Sequence, residues 1–244
     1  MSESVKPYNT PSSKKAQVEQ MFDNIAHRYD ALNRTLSLGI DIYWRNRAIA
    51  LLRDAPKEKV LDIATGTADV ALAMARKYPT DVKKIIGLDI SQEMLEYGRK
   101  KVRRQSLEHI IELVHGDSEN LPYSDNTFDA ITVSFGVRNF ENLEGGLTEM
   151  YRVLKPSGKV IVLEFSQPTG MPIKQLYNFY FKNILPIVGR ITSKDERAYT
   201  YLFESVQAFP FGNEFIRILN KIGYKNATCT PLTFGICSIY FAEK

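Results

Sequence analysis

The chain of 244 residues is predicted to fold as an α/β domain built on a mostly parallel sheet. Between residues 59 and 165, short apolar runs typical of strands alternate with amphipathic helical segments, as in a parallel sheet with helices on both faces. The segment VLDIATGTADV combines a buried strand, a turn of small residues and a helix start, an arrangement that binds nucleoside cofactors. Two final strands, near 226–232 and 236–242, are joined by only Thr233-Phe234-Gly235, which favours an antiparallel hairpin.

The N-terminal region is predicted to be a polar tail followed by three helices. Residues 1–11 are polar and contain two prolines, which favours a loose tail. From Ser12 onward, apolar residues recur at steps of three and four, which predicts a helix. A shorter helical piece at 33–38 would end at Gly39, and a third helix is predicted at 41–52.

The central region supplies the alternation. Apolar runs predict strands, and residues with 3.6-residue periodicity predict the helices between them. The predicted strands are 59–63, 84–89, 111–115, 128–134 and 159–165, and the predicted helices are 69–77, 92–104 and 141–154. A turn signal, Lys155-Pro156-Ser157-Gly158, separates the last helix from the last strand. The alternation then stops, and helical pieces are predicted at 171–190, 195–208 and 211–222.

Composition excludes several classes of protein. Hydrophobic residues make up 44% of the chain and charged residues 25%, which is ordinary for a globular domain with a real core. A net charge of +4 is too small to indicate nucleic-acid binding by itself. The absence of a secretory leader pattern, and of any run near 18 apolar residues, predicts a cytoplasmic protein without a spanning helix. The three histidines are scattered, so no metal site is expected.

Four predicted strands lead into a polar residue at their carboxyl ends. These residues are Asp62, Asp89, Asp117 and Ser134, and parallel strands bring such ends to one edge of the sheet. A turn or a helix cap would explain any single aspartate. Together they favour a cofactor site in which Asp89 accepts hydrogen bonds from ribose hydroxyls and Asp117 and Ser118 contact an adenine. If the cofactor carries an amino-acid portion, Asp62 would contact its ammonium group through a water or the loop.

The turn after the first strand distinguishes between cofactors. A dinucleotide site requires G-x-G-x-x-G so that a pyrophosphate can reach the helix. Here the turn is Ala64-Thr65-Gly66-Thr67-Ala68, with one glycine, Gly66. Small residues are sufficient for a loop that passes under the methionine and ribose of S-adenosylmethionine. The turn therefore favours S-adenosylmethionine over a nicotinamide cofactor.

Three further segments carry a family resemblance. They are MFDNIAHRYDALNRTLSLGIDIYWR, LPYSDNTFDAITVSFGVRNF and MYRVLKPSGKVIVLEFSQP. From about Phe22 to its C-terminus, the chain resembles the ubiquinone/menaquinone biosynthesis C-methyltransferases, a family of class I S-adenosylmethionine-dependent methyltransferases. The resemblance implies a Rossmann-like, seven-stranded sheet of order 3-2-1-4-5-7-6 with one antiparallel strand. It also implies a flexible tail (1–11), a helical lid and substrate region (12–55), and a cofactor domain (56–244) with a helical insertion (168–210).

The resemblance also implies an activity and its site residues. The expected reaction is C-methylation of demethylmenaquinol to menaquinol, with a polyprenyl benzoquinol or another small apolar acceptor as the alternative. The matching cofactor contacts are Thr67, Asp89, Asp117, Ser118 and Ser134, although Ala64 and Ala68 replace glycines common in the superfamily. Arg138 would stabilise a phenolate, next to Asn139. Tyr29 and Asp30 would lie on the lid, with Asp30 or His27 accepting the proton. Two simpler alternatives remain open. Arg138 would cap a helix or pair with a surface acid, and Tyr29 would serve only in the packing of its helix.

The expected acceptor carries a long prenyl tail, so a peripheral contact with the inner face of the cell membrane is expected. The candidate segment is IKQLYNFYFKNILPIVGRITSK, residues 173–194, which mixes aromatic residues with cations. The same segment would equally serve as a pocket cover or as a homodimer contact. Rival functions are a nicotinamide-dependent oxidoreductase, an RNA methyltransferase and a non-catalytic lipid-binding protein. The missing glycines, the absence of a concentrated basic stripe and the polar strand ends, respectively, argue against them.

Overall fold

The structure is a computed structural model, and it describes residues 5–8, 10–179, 183 and 196–244. Seven strands form one sheet in the order β3-β2-β1-β4-β5-β7-β6. The strands are β1 Lys59–Ile63, β2 Lys84–Asp89, β3 Ile111–His115, β4 Phe128–Ser134, β5 Leu154–Phe165, β6 Lys225–Leu232 and β7 Cys237–Glu243. All neighbours from β3 to β5 pair in parallel, and β7 pairs antiparallel with both β5 and β6. The predicted topology is therefore confirmed.

Helices cover both faces of the sheet and its carboxyl edge. They are α1 Lys14–Ile25, α2 Tyr29–Leu36, α3 Ile40–Ala50, α4 Asp69–Lys77, α5 Gln92–Arg104, α6 Leu143–Val153, α7 Ile173–Phe179, α8 Glu196–Ala208 and α9 Asn213–Ile222. Serine and asparagine side chains begin several of them. Ser13 accepts from the amide of Ala16 at α1, Ser91 from Met94 at α5, and Asn142 from Gly145 at α6, which satisfies amides that have no partner within the helix.

Most predicted boundaries match, and two differences have a physical cause. The second helix begins at Tyr29 rather than residue 33, because a 3-10 turn at Ala26–Arg28 leads directly into it. The turn at 155–158 lies inside β5, where the ladder with β4 shifts register between Phe128 and Ala130. Of the segment 173–194, only 173–179 and 183 are among the described residues, and the remainder of that prediction lies outside them.

Three apolar clusters hold the structure together. Two lie on opposite faces of the sheet, which explains why β1 and β4 are apolar nearly throughout. The third joins the N-terminal helices to α7 and α8, and its buried members are Val18, Met21, Leu32, Tyr177, Ala198 and Tyr201. It lies over the carboxyl edge, because residues of α1 bond to the segments that follow β2, β3 and β4. We call these N-terminal helices, together with α7 and α8, the cap, and the cap encloses the candidate site.

Candidate active site

A cavity lies at the carboxyl edge, where the predicted polar strand ends meet. Its lining includes five of the seven predicted cofactor residues: Gly66, Asp89, Asp117, Ser118 and Ser134. Asn139, predicted as catalytic, lies in the same wall. The apolar part of the lining comes from Val18, Phe22, Leu88, Ile90, Met94, Phe135 and Phe140. A mostly apolar cavity that also contains acids suits a nucleoside, whose base packs against side chains while its ribose and amino group donate hydrogen bonds.

Asp89 is the buried acid at the end of β2. One carboxylate oxygen accepts from the amide of Gly66 at 2.7 Å, and the other accepts from Ser91 at 2.9 Å. Burial raises the pKa of Asp89 to about 6, and the amide hydrogen bonds oppose the rise. Each oxygen can accept a second bond, so the carboxylate can receive both hydroxyls of a ribose.

Asp117 forms the other acidic end of this cavity. Its carboxylate bonds to the ammonium of Lys15 at 2.6 Å and to the amide of Glu119 at 2.9 Å. Since Lys15 belongs to α1, this ion pair fixes the N-terminal helix over the cavity. Lys15 had no role in the sequence prediction, because nothing local indicates that it lies beside Asp117.

The loop after β1 approaches its neighbours closely. Ala64, Gly66 and Ala68 have φ of 51°, 55° and 67°, a left-handed backbone that alanine rarely adopts. The two alanines thus occupy a conformation suited to the glycines that the superfamily often has there. A Cβ added at Gly136 would lie 2.5 Å from the Cβ of Ala64, so the loop after β4 requires a glycine at this contact.

Two predicted cofactor residues, Asp62 and Thr67, are not among the residues lining the cavity. Asp62 is buried behind the loop, where it accepts hydrogen bonds from Thr65 and Thr132, both at 2.6 Å. Burial raises the pKa of Asp62 to about 6, although both hydroxyls stabilise the carboxylate. Its geometry is that of a group that fixes the loop to β4.

Thr67 faces helix α2 instead. Its hydroxyl donates to Asp30 at 2.6 Å, and Lys101 donates to Asp30 at 2.9 Å and also contacts Asp69. Asp30 does not line this cavity, and it does not line the second cavity described in the next paragraph. Asp30 and Thr67 therefore join α2 to the cofactor loop, with Lys101 holding the two together.

A second, larger cavity lies beneath the cap and has a volume of about 420 Å³. It is mostly apolar, with walls that include Met21, Ile25, Leu32, Leu36, Trp44, Phe165, Leu176, Tyr201, Leu202 and Ile236. Phe22, Tyr29 and Phe135 line both cavities, so the two spaces adjoin at these three rings. A ligand in each cavity would meet its neighbour there.

Arg138 and Arg45 both line the apolar cavity, and Arg45 is paired with Asp41 and Asp69. Nη1 of Arg138 donates to Glu164 at 2.8 Å and to the carbonyl of Phe135. Glu164 has no exposed side-chain surface, and its carboxylate also accepts from the amides of Arg138 and Phe165. Burial raises the pKa of Glu164, while the Arg138 guanidinium opposes the rise. The pair fixes the guanidinium in the cavity wall.

Several buried polar atoms near this pair have no hydrogen-bond partner among the described residues. They are Nε of Arg138, Oδ1 of Asn139 and the hydroxyl of Tyr201. Buried polar groups are normally paired, so unpaired ones in a cavity wall indicate contacts with a ligand. Burial also raises the pKa of Tyr201, which keeps its hydroxyl protonated and able to donate.

Sequence reasoning missed Glu164 and Tyr201. Glu164 carried a signal, because it is a lone acid in the otherwise apolar run VIVLEF. Tyr201 carried none, since an aromatic residue in an amphipathic helix looks like ordinary core. Over the described residues, no group of three or more potential ligands forms a metal site, and no helix is long and apolar enough to cross a membrane.

Comparison with known proteins agrees with this geometry. The sequence model of the ubiE/COQ5 methyltransferase family matches residues 10–244. A Bacteroides fragilis protein named demethylmenaquinone methyltransferase is 45% identical over 242 residues, covering 99% of this chain and 98% of that protein. A Geotalea daltonii protein named ubiquinone/menaquinone biosynthesis C-methyltransferase UbiE is 45% identical over 233 residues, covering 96% and 98%. A solved SAM-dependent methyltransferase from Aquifex aeolicus superposes with a TM-score of 0.58 at 17% identity, covering 82% and 88%, which supports the fold alone.

Proposed function

The chain belongs to the ubiE/COQ5 methyltransferase family, and from this premise we propose that it methylates a ring carbon of demethylmenaquinol with S-adenosylmethionine. The observation that carries the proposal is the junction of the two cavities at Phe22, Tyr29 and Phe135. The smaller cavity, whose mostly apolar lining includes Asp89 and Asp117, would hold the nucleoside of the methyl donor, and the larger apolar cavity would hold a prenylated ring. The relatives with this named activity match almost the whole chain, including both cavities.

The cofactor residues divide into two groups. Asp89 accepts the ribose hydroxyls, while Asp117 and Ser118 contact the adenine beneath Lys15. Gly66, Ser134 and Asn139 line the same cavity. Asp62 and Thr67 hold the loop in place from behind, through Thr65 and Asp30. When bound, S-adenosylmethionine supplies an electrophilic methyl group, and the chain orients the acceptor toward it.

The acceptor ring would become nucleophilic when its hydroxyl loses a proton to solvent, because the oxygen then pushes electron density onto the adjacent carbon. That carbon would form a bond to the methyl group as the methyl–sulfur bond breaks, and S-adenosylhomocysteine would leave with the electron pair of that bond. Loss of the ring carbon's hydrogen as a proton would then restore the aromatic ring. Arg138 stabilises the phenolate that forms when the hydroxyl loses its proton, since its guanidinium carries a positive charge. Glu164 positions Arg138 for this role. The rings of Phe22, Tyr29 and Phe135 hold the acceptor in line with the donor, which removes most of the entropic cost of the encounter.

A quinol has a second ring oxygen, para to the first, and we assign the binding of that oxygen to Tyr201. Tyr201 lines the same apolar cavity as Arg138 and has an unpaired, buried hydroxyl. Arg138 at one oxygen and Tyr201 at the other would fix the ring by both ends. An acceptor with one ring oxygen would leave the Tyr201 hydroxyl unsatisfied.

A benzoquinol acceptor is the second candidate, because one relative is named for both ubiquinone and menaquinone biosynthesis. The test is transfer of labelled methyl from S-adenosylmethionine to chemically reduced demethylmenaquinone in detergent micelles. The matched arms are the oxidised quinone and a reduced prenyl benzoquinone of the same tail length. Label in the lipid fraction with the reduced naphthoquinone alone supports the proposal. Equal or better transfer to the benzoquinol would replace the naphthoquinol as the acceptor, and transfer to neither would reject both.

A further inference from the structure

The mouth of the apolar cavity carries large apolar side chains that face solvent. Leu38, Ile40, Leu176 and Phe234 all line the cavity and are all exposed, Leu38 by 86% and Phe234 by 77%. We name these four residues the apolar rim. They come from three separate parts of the chain: the α2–α3 turn, α7 and the β6–β7 turn. Single exposed apolar residues are ordinary, but a ring of them around one opening marks an interaction surface.

The two most exposed members lie in turns of the same kind. Leu38 and Phe234 have φ of 51° and 58°, and each is followed by a glycine with positive φ, Gly39 or Gly235. In water, asparagine, aspartate or glycine is the usual residue for this backbone conformation. Here the turns present a leucine and a phenylalanine instead. The side chains at these positions thus match an apolar environment better than an aqueous one.

The helices that contribute to the apolar rim, α3 and α7, expose positively charged side chains. Arg47 on α3 and Lys174 on α7 are exposed. The acids of α2 and α3 are both bonded to cations, Asp30 to Lys101 at 2.9 Å and Asp41 to Arg45 at 2.8 Å. Exposed cations beside an apolar surface complement a bilayer whose headgroups include anionic lipids.

From these observations we infer that the apolar rim inserts into the surface of an anionic lipid bilayer, so that the cavity opens directly into the lipid. The inference rests on the proposed function in one respect, namely that the acceptor carries a prenyl tail. The tail would then pass from bilayer to cavity between Leu38 and Phe234 without crossing water. The proposed contact surface is formed by the α2–α3 and β6–β7 turns with α7, and α7 is the part of segment 173–194 that it includes.

The test is flotation of the full chain with vesicles of phosphatidylethanolamine and phosphatidylglycerol, without any acceptor. The variant is Leu38→Asn with Phe234→Asn, because asparagine accepts the left-handed backbone and the fold should survive. We expect its vesicle partition coefficient to fall by at least about tenfold. Leu51→Asn is the matched control, since Leu51 is 44% exposed but lies outside the cavity lining, and it should float like the wild type. Unchanged thermal midpoint and S-adenosylmethionine affinity check that the variant is folded.

Equal flotation of the double variant and the wild type would overturn the inference, as would a wild-type chain that does not float. A third outcome would also overturn it: sedimentation showing a dimer for the wild type and a monomer for the double variant would make the rim a contact between copies. Because no acceptor is present, these results are independent of the methyl-transfer assay. A chain that floats through the rim but methylates no quinol would refute the proposed function and leave the inference standing.

Discussion

The guanidinium of Arg138 lies 2.8 Å from the carboxylate of Glu164. The Glu164 side chain is wholly buried, and Arg138 lines the apolar cavity. The two residues come from different strand ends, 26 positions apart. Removing one partner of such a pair leaves the other charge buried without a counterion, whereas removing both partners leaves no buried charge. This difference allows the role of Arg138 in the reaction to be separated from its role in stability.

We predict that Arg138→Met lowers the free energy of unfolding by about 3 kcal/mol, because Glu164 is left buried without its cation. The same variant should lose about a hundredfold or more in kcat, since the phenolate loses its positive partner. Arg138→Met combined with Glu164→Gln should regain most of the stability and none of the activity. Urea unfolding and steady-state kinetics measure the two effects separately.

The control is Glu144→Gln, which removes one member of an exposed pair with Lys221 at 2.7 Å and should change stability by less than about 1 kcal/mol. If the double variant regains activity along with stability, Arg138 acts through folding and not through the phenolate. Unchanged S-adenosylmethionine affinity in all three variants is expected, because Arg138 does not line the cofactor cavity.

Asp89→Ala should weaken S-adenosylmethionine binding by about a hundredfold or more, since a charged acceptor for two hydroxyls is lost. Isothermal titration calorimetry measures this directly, with circular dichroism to confirm folding. The control is Asp125→Ala, because Asp125 is an exposed aspartate outside the cavity lining. Wild-type affinity in Asp89→Ala would remove Asp89 from the cofactor site.

Asp62 gives a prediction about pH. Its pKa is about 6 in the folded chain because of burial, against an ordinary value of 3.8. The folded state therefore holds a proton that the unfolded state has lost between about pH 4 and about pH 6, so this group destabilises the fold progressively as the pH rises through that window. Asp62→Asn removes the effect and should gain stability relative to the wild type across the window, by up to about 1.4 kcal/mol per pH unit.

The measurement is urea unfolding of both proteins from about pH 4.5 to about pH 7.5, a range set by the two pKa values. The difference in the free energy of unfolding should increase with pH and level off above about pH 7. A constant difference would mean that Asp62 ionises as it does in water. Since Asp62 is not among the residues lining the cofactor cavity, the variant should keep its S-adenosylmethionine affinity.

Tyr201→Phe should lower kcat/KM for the quinol by about tenfold, which is the usual value of one hydrogen bond from a neutral donor. An acceptor analogue with a single ring hydroxyl, beside the reacting carbon, should be methylated equally well by the wild type and the variant. Only a contact with the second ring oxygen produces this difference between acceptors. Equal losses with both acceptors would show that Tyr201 is a packing residue.

The sequence predicted well whatever depends on local pattern and on the rules of parallel sheets. Asp89, Asp117 and Ser134 could be placed together because parallel strands end at the same edge, and the structure brings all three to one cavity. The three motifs that suggested the family are confirmed by the match over residues 10–244. Even the hairpin through Thr233–Gly235 could be predicted, because three residues leave little choice of connection.

The sequence could not predict which side of a loop each residue faces. Thr67 lies one position from Gly66, yet its hydroxyl bonds to Asp30 on α2 instead of lining the cavity. The apolar cavity is assembled from the N-terminal helices, the β5 end, α7 and α8, segments that no local pattern connects. The positions of Glu164 and Tyr201 beside Arg138 depend on that assembly.

The central claim is methyl transfer to a ring carbon of a reduced acceptor. The most direct measurement is nuclear magnetic resonance of the product made from ¹³C-methyl S-adenosylmethionine and demethylmenaquinol. The account predicts that the label appears as a methyl group on the ring carbon next to a hydroxyl, and that oxidised demethylmenaquinone yields none. Label on oxygen as a methyl ether, or equal labelling of the oxidised quinone, would contradict it.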